Sequence, residues 1–512
     1  MRKPEGLILV IFGASGDLTS RKLIPALCDL DNQNLLADNF AILGTGRTEM
    51  NENQFRDKMA VAIDKFADKE SCLDQHKKNN FLKRIFYMRI DGSDPDEYAR
   101  LADRLAGLDK QLKTGGNYLY YLATPPVMYE SIVSNLSSNK LNSTSDSQSW
   151  RRIVVEKPFG SDLLSAQRLN KIILQVFSED QIFRIDHYLG KETVQNILVT
   201  RFSNGIFEPL WNRNFIERVE ISSSESIGIE NRGGYYDNAG ALRDMVQNHL
   251  LQLVGLIAME PPVVADATSI RNETLKVFQA LRQFNRDDIE KNVIRGQYTG
   301  SVINNENIPG YRDEPGIVSG SRTETYVAMK FYVDNWRWNG VPFYLRTGKR
   351  LPIRVTEVVI HFKPSPHTLF AKDPGCITGS NQLIIRIQPD EGILLKFGMK
   401  VPGSGYMVKD VGMDFHYSDL SDVRLPDAYE RLLLDCMLGD ATLFARGDAV
   451  EATWQFIYPI LRFWNENSNT GLFGYPAGTW GPENADKLIE GTDQTWRYPC
   501  KNLTAVSSYC EL

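Results

Sequence analysis

Residues 7–18 read Leu7-Ile8-Leu9-Val10-Ile11-Phe12-Gly13-Ala14-Ser15-Gly16-Asp17-Leu18. Six consecutive apolar residues closed by a glycine predict a buried strand, because a strand covered on both faces has no reason to alternate. Gly13 and Gly16 then bracket a turn. A backbone that must approach a charged phosphate favours residues without a Cβ, and the helix that follows points its unpaired N–H groups at the anion. Asp17 and Thr19 are placed to cap that helix. The spacing is GxxG rather than GxGxxG, so on their own these residues also read as an ordinary tight strand-to-helix turn.

The surrounding sequence extends the pattern. Phe40–Leu43, Ile85–Ile90, Tyr118–Ala123 and Arg152–Val155 read as strands, separated by the amphipathic segments Lys22–Leu30, Glu52–Phe66 and Asp96–Leu108. Strand and helix in this rhythm predict a doubly wound parallel sheet. After about residue 190 the rhythm changes. Arg218–Ser222, Tyr326–Tyr332, Val355–Phe362, Asn381–Gln388 and Gly392–Lys396 are strand-like without regular helical partners, so a mainly antiparallel sheet is expected there. Helices are expected at Ala241–Ala258, Asn272–Ala280 and Pro426–Leu438, and a Ser/Asn-rich surface loop at Ser134–Ser149. The fold class is thus α/β: a Rossmann-like doubly wound domain over residues 1–188, then a larger α+β domain over 189–512 with a mainly antiparallel sheet.

Composition narrows the function. The 512 residues carry 58 Lys+Arg against 64 Asp+Glu, a net charge of −6, with 42% apolar and 24% charged residues. A chain this apolar offsets its lost conformational entropy by burial and is not disordered. No Lys/Arg-rich run is present, which argues against a nucleic-acid partner. The longest apolar stretches, Leu7–Phe12 and Leu250–Met259, fall short of the roughly 18–20 residues that span a bilayer. Met1–Glu5 leads directly into a strand rather than into a signal core. Six cysteines (Cys28, Cys72, Cys376, Cys436, Cys500, Cys510) form no CxxC pair, and the six histidines form no HExxH pair. A soluble cytoplasmic protein with no metal is expected.

The second strand ends in Gly44-Thr45-Gly46-Arg47. Sites for NAD place an acid here for the ribose hydroxyls, whereas a guanidinium suits a 2′-phosphate by charge and fork geometry. NADP is the expected cofactor, with a solvated loop arginine as the alternative reading of Arg47. Asp91-Gly92 and Thr124-Pro125-Pro126 also end strands on the carboxyl side, where open sheets bind ligands.

Four segments carry side chains suited to catalysis. Glu156-Lys157-Pro158-Phe159-Gly160 follows a strand, and a lysine before proline is held extended. Arg184–Glu192 places Asp186, His187, Tyr188 and Lys191 at the start of an expected helix, Glu192–Thr200. Two cation-capable groups there suit a phosphate, while Asp186 could instead orient a histidine. On a wheel of about 100° per residue, Asp244, Asn248, Gln252 and His249 rise over an arc of about 140°, opposite an apolar arc from Val246 to Ile257. The side rising toward His249 is therefore expected to be polar, and an imidazole suits a general base, although a lone helical histidine is more often structural. Gly340–Arg350 and Arg354 form a second cationic cluster that, alone, reads as surface charge.

Together these segments resemble the glucose-6-phosphate dehydrogenase family. The resemblance runs through Gly13–Leu18, Glu156–Gly160, Arg184–Glu192 (RIDHYLGKE), Arg232–Tyr236, Arg243–Gln252 (RDMVQNHLLQ), Val293–Tyr298, Gly340–Lys349 and Tyr475–Pro482 (YPAGTWGP). It implies oxidation of β-D-glucose 6-phosphate at C1 to the 6-phosphoglucono-lactone with reduction of NADP. It further implies that His249 is the base and Asp186 the carboxylate that stabilises its imidazolium. His187, Tyr188 and Lys191 match the phosphate pocket; Lys157, Glu225, Asp244, Lys349, Arg354 and Gln388 match substrate-contacting positions. Gly13, Ser15, Gly16, Asp17, Leu18, Arg47, Asp91, Gly92, Pro125 and Lys157 are the expected cofactor positions. A homodimer or homotetramer built on the large sheet is implied, while tolerance of NAD and a second nucleotide site in the C-terminal domain stay open. The rival readings are a related sugar dehydrogenase acting on an unphosphorylated sugar and a catalytically silent NADP sensor.

Overall fold

Leu7–Phe12 form β1, buried along its whole length. β2 (Phe40–Gly46), β3 (Ile85–Arg89), β4 (Tyr118–Leu122), β5 (Arg151–Val155) and β6 (Ile182–Ile185) join it in the parallel order β6-β5-β4-β1-β2-β3. The short strand Phe444–Ala445 adds antiparallel to β6. Strand order reverses on either side of β1, so the crevice beyond the carboxyl ends of β1 and β4 is the topological switch point where open sheets take ligands. The computed structural model describes residues 2–68, 75–144, 146–367, 380–420, 426–467, 469–489 and 494–499. Cys72, Cys376, Cys500 and Cys510 lie outside them; Cys28 and Cys436 are buried. Among the described residues no helix is long and apolar enough to cross a membrane.

The crossover helices include Ile24–Asn32, Glu52–Phe66, Glu97–Leu112, Tyr129–Ser138 and Leu163–Leu174. Asn51 and Asp162 cap two of them, each accepting from the backbone N–H three residues on, which satisfies donors that a helix start leaves orphaned. Two expectations need correction. The helix after β1 begins at Asp17, earlier than Lys22, and passes through a π-helical stretch over Thr19–Leu23. The expected loop at Ser134–Ser149 is helical through Ser138, because Ile132, Val133 and Leu136 are buried and outweigh the Ser/Asn composition; Ser145 lies outside the described residues.

The chain divides into two compact units. The first holds residues 1–192 and two later segments, 262–272 and 425–451; the second holds 193–261, 273–424 and 452–512. Beyond the single boundary expected at 188/189, therefore, two downstream segments belong with the parallel sheet. One of them carries the helix Ala428–Leu438 and Phe444–Ala445.

The second unit is built on β7 (Ile216–Ser224), β8 (Val293–Thr299), the hairpin β9 (Ser301–Ile303) and β10 (Glu306–Ile308), β11 (Tyr326–Tyr332), β12 (Pro342–Gly348), β13 (Val355–Phe362), β14 (Gln382–Gln388), β15 (Gly392–Lys400) and β16 (Val408–His416). Its large sheet runs β16-β15-β14-β13-β7-β12-β11-β8, with Phe473–Pro476 beyond β8. Pairing is antiparallel except between β7 and β12 and between β8 and Phe473–Pro476. Registers place Val219, Ile221, Phe343, Leu345, Val358 and Ile360 on one buried apolar face. The other face carries buried Arg218, Glu220, Arg346, Glu357, His361 and Arg386. Residues 494–499 lie across that polar face: the Arg497 N–H donates to Glu220 at 3.1 Å, its Nε to Glu357 at 3.2 Å, and Arg346 donates to its carbonyl.

Candidate active site

The first unit opens a cleft of about 610 Å³ at the switch point, lined by Gly13, Ser15, Gly16, Thr45, Gly46, Arg47, Thr48, Gly92 and Pro125 among others. Gly13 sits at φ +83°, and a Cβ there would lie 2.4 Å from the Ala123 carbonyl oxygen. Only glycine fits such a position. The turn is tied down by Gly13 and Ala14 N–H groups donating to the Thr45 carbonyl and by Gly16 N–H donating to Gly13, all at 2.9 Å. Lys58 Nζ donates to the Ser15 carbonyl at 2.7 Å.

Asp17, Leu18, Asp91 and Lys157 are not among the lining residues. Nor do Asp17 and Thr19 cap the helix: both lie inside the helical run, which opens at Asp17, and Leu18 makes no side-chain cap bond. Asp17 instead pairs with Arg21 in solvent, and Thr19 is buried. The helix opens directly after Gly16, so neither residue stands before its first turn. Asp91 accepts from the Ser93 N–H and hydroxyl at 3.0 and 2.7 Å, and these bonds hold its carboxyl below the ordinary value.

Between β6 and the helix Glu192–Phe202, the same unit brings Asp186, His187, Tyr188 and Lys191 into one turn. Asp186 and Tyr188 are buried. Asp186 Oδ1 accepts the Tyr188 N–H at 2.9 Å, the Lys191 ammonium lies 4.2 Å from the Tyr188 ring centre, and the His187 ring meets Tyr188 edge-on. Gly190 is required here: a Cβ would lie 2.8 Å from the Ala428 carbonyl of the returning helix. That helix also supplies Tyr429, whose hydroxyl donates to the Glu156 carboxylate at 3.2 Å, beside Tyr121 at 2.6 Å. Burial raises the Glu156 carboxyl above its ordinary value, against the two phenols and Lys157, which favour the ionised form. This buried group anchors the segment that carries Lys157, whose bond to Pro158 is cis.

In the second unit, His249 is 1% exposed and lies in a π-helical stretch, Leu242–Leu250, followed by the α-helix Leu251–Ala258. The side expected to be polar is so in its residues, but it is not solvent-facing: Asp244, Asn248, His249 and Gln252 are all buried. In a π-helix the i→i+5 step comes closer to a whole turn than in an α-helix, so Asp244 and His249 approach one face more closely than an α-helical wheel places them. The helix Gly233–Ala241 that precedes this stretch kinks at Gly240, φ +70°, where a Cβ would lie 2.4 Å from Glu324 Oε1. Glu324 is buried and accepts the Leu242 N–H at 3.0 Å. Tyr235 donates to Asp244 at 3.3 Å.

The same unit forms a Lys349–Glu225 ion pair, with the Lys349 ammonium 5.0 Å from the Tyr236 ring centre. Arg354 donates to Gln388 Oε1 at 3.3 Å. β12 ends at Gly348, and the Tyr475 hydroxyl holds the Lys349 carbonyl at 2.7 Å. Tyr235, Tyr236, Tyr429 and Tyr121 had no assigned role in the sequence reading. Only the first two carried a signal there, in Arg232–Tyr236.

Comparison with known proteins bears on both units. The family model described as glucose-6-phosphate dehydrogenase, NAD binding domain, matches residues 10–196, and that of the C-terminal domain matches 198–497. The chain belongs to the glucose-6-phosphate dehydrogenase family. Over 97% of its length it is 52% identical to glucose-6-phosphate 1-dehydrogenase of Aggregatibacter actinomycetemcomitans, covering 98% of that protein. It is 51% identical over 99% of its length to the enzyme of Treponema pallidum, again covering 98%. A solved glucose-6-phosphate dehydrogenase in complex with its substrate glucose-6-phosphate shares 33% identity and a TM-score of 0.88, over 97% of this chain and 99% of that one.

Proposed function

We propose that this enzyme oxidises D-glucose 6-phosphate at C1 to 6-phospho-D-glucono-1,5-lactone, the first oxidative step of the pentose phosphate pathway, with NADP as the acceptor. What carries the substrate is the likeness, over 97% of the chain, to a family member solved with glucose-6-phosphate. The cleft at the switch point fits a dinucleotide: Gly13 and Gly16 line it, the missing Cβ of Gly13 lets the turn seat against the Ala123 carbonyl, and Arg47 stands exposed at the end of β2. When bound, NADP supplies the hydride acceptor.

The protein's own residues do the rest. His249 takes the proton from the C1 hydroxyl as hydride leaves C1, and Asp186 offsets the charge that develops on the imidazole. His187, Tyr188 and Lys191 hold the phosphate, whose binding energy positions C1 without taking part in the chemistry. Lys157, Glu225, Asp244, Lys349, Arg354 and Gln388 orient the sugar. The compactness of the Asp186–Lys191 turn and the burial of His249 support these roles. The reading includes a cytoplasmic enzyme, a homodimer or homotetramer joined through the large sheet. Met399 and Met413, half or more exposed on one face of β15 and β16, support that interface.

Turnover measured on glucose 6-phosphate and on glucose, each with NADP and with NAD, tests the proposal. Glucose 6-phosphate with NADP should be the preferred pair. Preference for glucose overturns the substrate, and no reduction with any sugar phosphate makes the chain a silent nucleotide sensor.

A further inference from the structure

We propose that Arg89, at the end of β3, acts with Arg47 to bind the 2′-phosphate of NADP and so sets the preference over NAD; this rests on the NADP reading above. Gly46 and Arg89 are register partners on β2 and β3. Arg89 Nε donates to the Arg47 carbonyl at 3.4 Å, which draws its guanidinium across onto the turn that follows β2. Both arginines are exposed, and among the described residues neither has a carboxylate at ion-pair distance.

The surroundings suit a dianion. Asp91, the acid beside them, spends Oδ1 on the N–H and hydroxyl of Ser93. After those bonds, the charges of Arg47 and Arg89 also hold its carboxyl low, so both guanidinium fields converge on Asp91, the residue before the lining Gly92. Ser15 and Thr48, whose hydroxyls lie 3.0 Å apart, line the cleft there. Tyr87 fixes the turn by donating to the carbonyls of Gly46 and Thr48 at 3.1 and 2.6 Å. Two guanidiniums with neutral hydroxyl donors match a phosphate monoester, while a ribose with free hydroxyls gains nothing from the second positive charge.

Arg89 could instead serve only to hold the Arg47 carbonyl, and the test separates the two roles. Binding of 2′,5′-ADP and of 5′-AMP to the full chain is measured by calorimetry for wild type, Arg89→Gln and Arg47→Gln. Glutamine keeps an N–H donor for the carbonyl but removes the charge. Arg89→Gln should weaken 2′,5′-ADP about tenfold or more, as losing a charged hydrogen bond does, change 5′-AMP by less than about twofold, and flatten the salt dependence of 2′,5′-ADP binding. Equal weakening of both probes, or no weakening, overturns the role of Arg89. If Arg47→Gln alone weakens 2′,5′-ADP, the NADP reading stands without Arg89. If the wild type binds 2′,5′-ADP no tighter than 5′-AMP, the NADP reading itself falls.

Discussion

At the scale of single residues, the site rests on groups whose burial or backbone geometry leaves few substitutes. His249→Asn should lower turnover by roughly 10²–10⁴-fold, the range for losing a general base, with little change in the affinity for glucose 6-phosphate. Near-normal turnover would remove His249 from that role. Gly13→Ala should abolish nucleotide binding at the cleft, because the added Cβ meets the Ala123 carbonyl in a conformation that already disfavours alanine. Retained affinity by calorimetry would show that the turn yields. Glycines and charged clusters of this kind are legible in a sequence, since each states a steric or electrostatic requirement locally. The tyrosines are not: Tyr121 and Tyr429 meet at Glu156 from positions more than three hundred residues apart, and no local pattern encodes that.

At the scale of elements, periodicity located most strands and helices but not the kind of helix. An amphipathic wheel for the segment around His249 assumes 100° per residue, whereas Leu242–Leu250 hydrogen-bonds as a π-helix. Its start depends on the Glu324 carboxylate from β11's approach, a contact invisible to a local window. The helix Ala428–Leu438 offers a pH test. Burial pushes the Asp435 carboxyl up to about 6, against the pull of Arg431. An acid that is harder to ionise in the fold than in the unfolded chain stabilises the fold while protonated, and that contribution is lost as pH rises from 3.8 through about 6. Asp435→Asn should therefore gain on the wild type by up to about 3 kcal/mol between pH 4 and 7 in urea unfolding. Parallel stability curves would refute the shift.

At the scale of the whole molecule, acid should act through the polar face of the large sheet. Burial opposes ionisation of Glu220, but His361, Arg218 and the Arg497 N–H outweigh it and hold the carboxyl at about 2. A carboxyl lower in the fold than its ordinary 4.5 contributes stability above that pH, and the contribution disappears as pH falls from 4.5 toward 2. Glu220→Gln should flatten this acid limb in unfolding monitored by circular dichroism; an unchanged limb would place the acid sensitivity elsewhere. The α/β character of the first third and the antiparallel character of the rest were legible, because each strand declares its own exposure. That residues 262–272 and 425–451 fold with the parallel sheet was not, since neither segment differs in composition from its neighbours.

Those late segments have a bearing on biosynthesis. A ribosome releases the nucleotide-side sheet, through β6, long before it makes Phe444–Ala445 and the helix whose backbone packs on Gly190. For about half of translation the β6 edge is therefore bare, a template for stray strands, and a fragment ending at residue 192 should aggregate unless a peptide spanning 425–451 is supplied in trans.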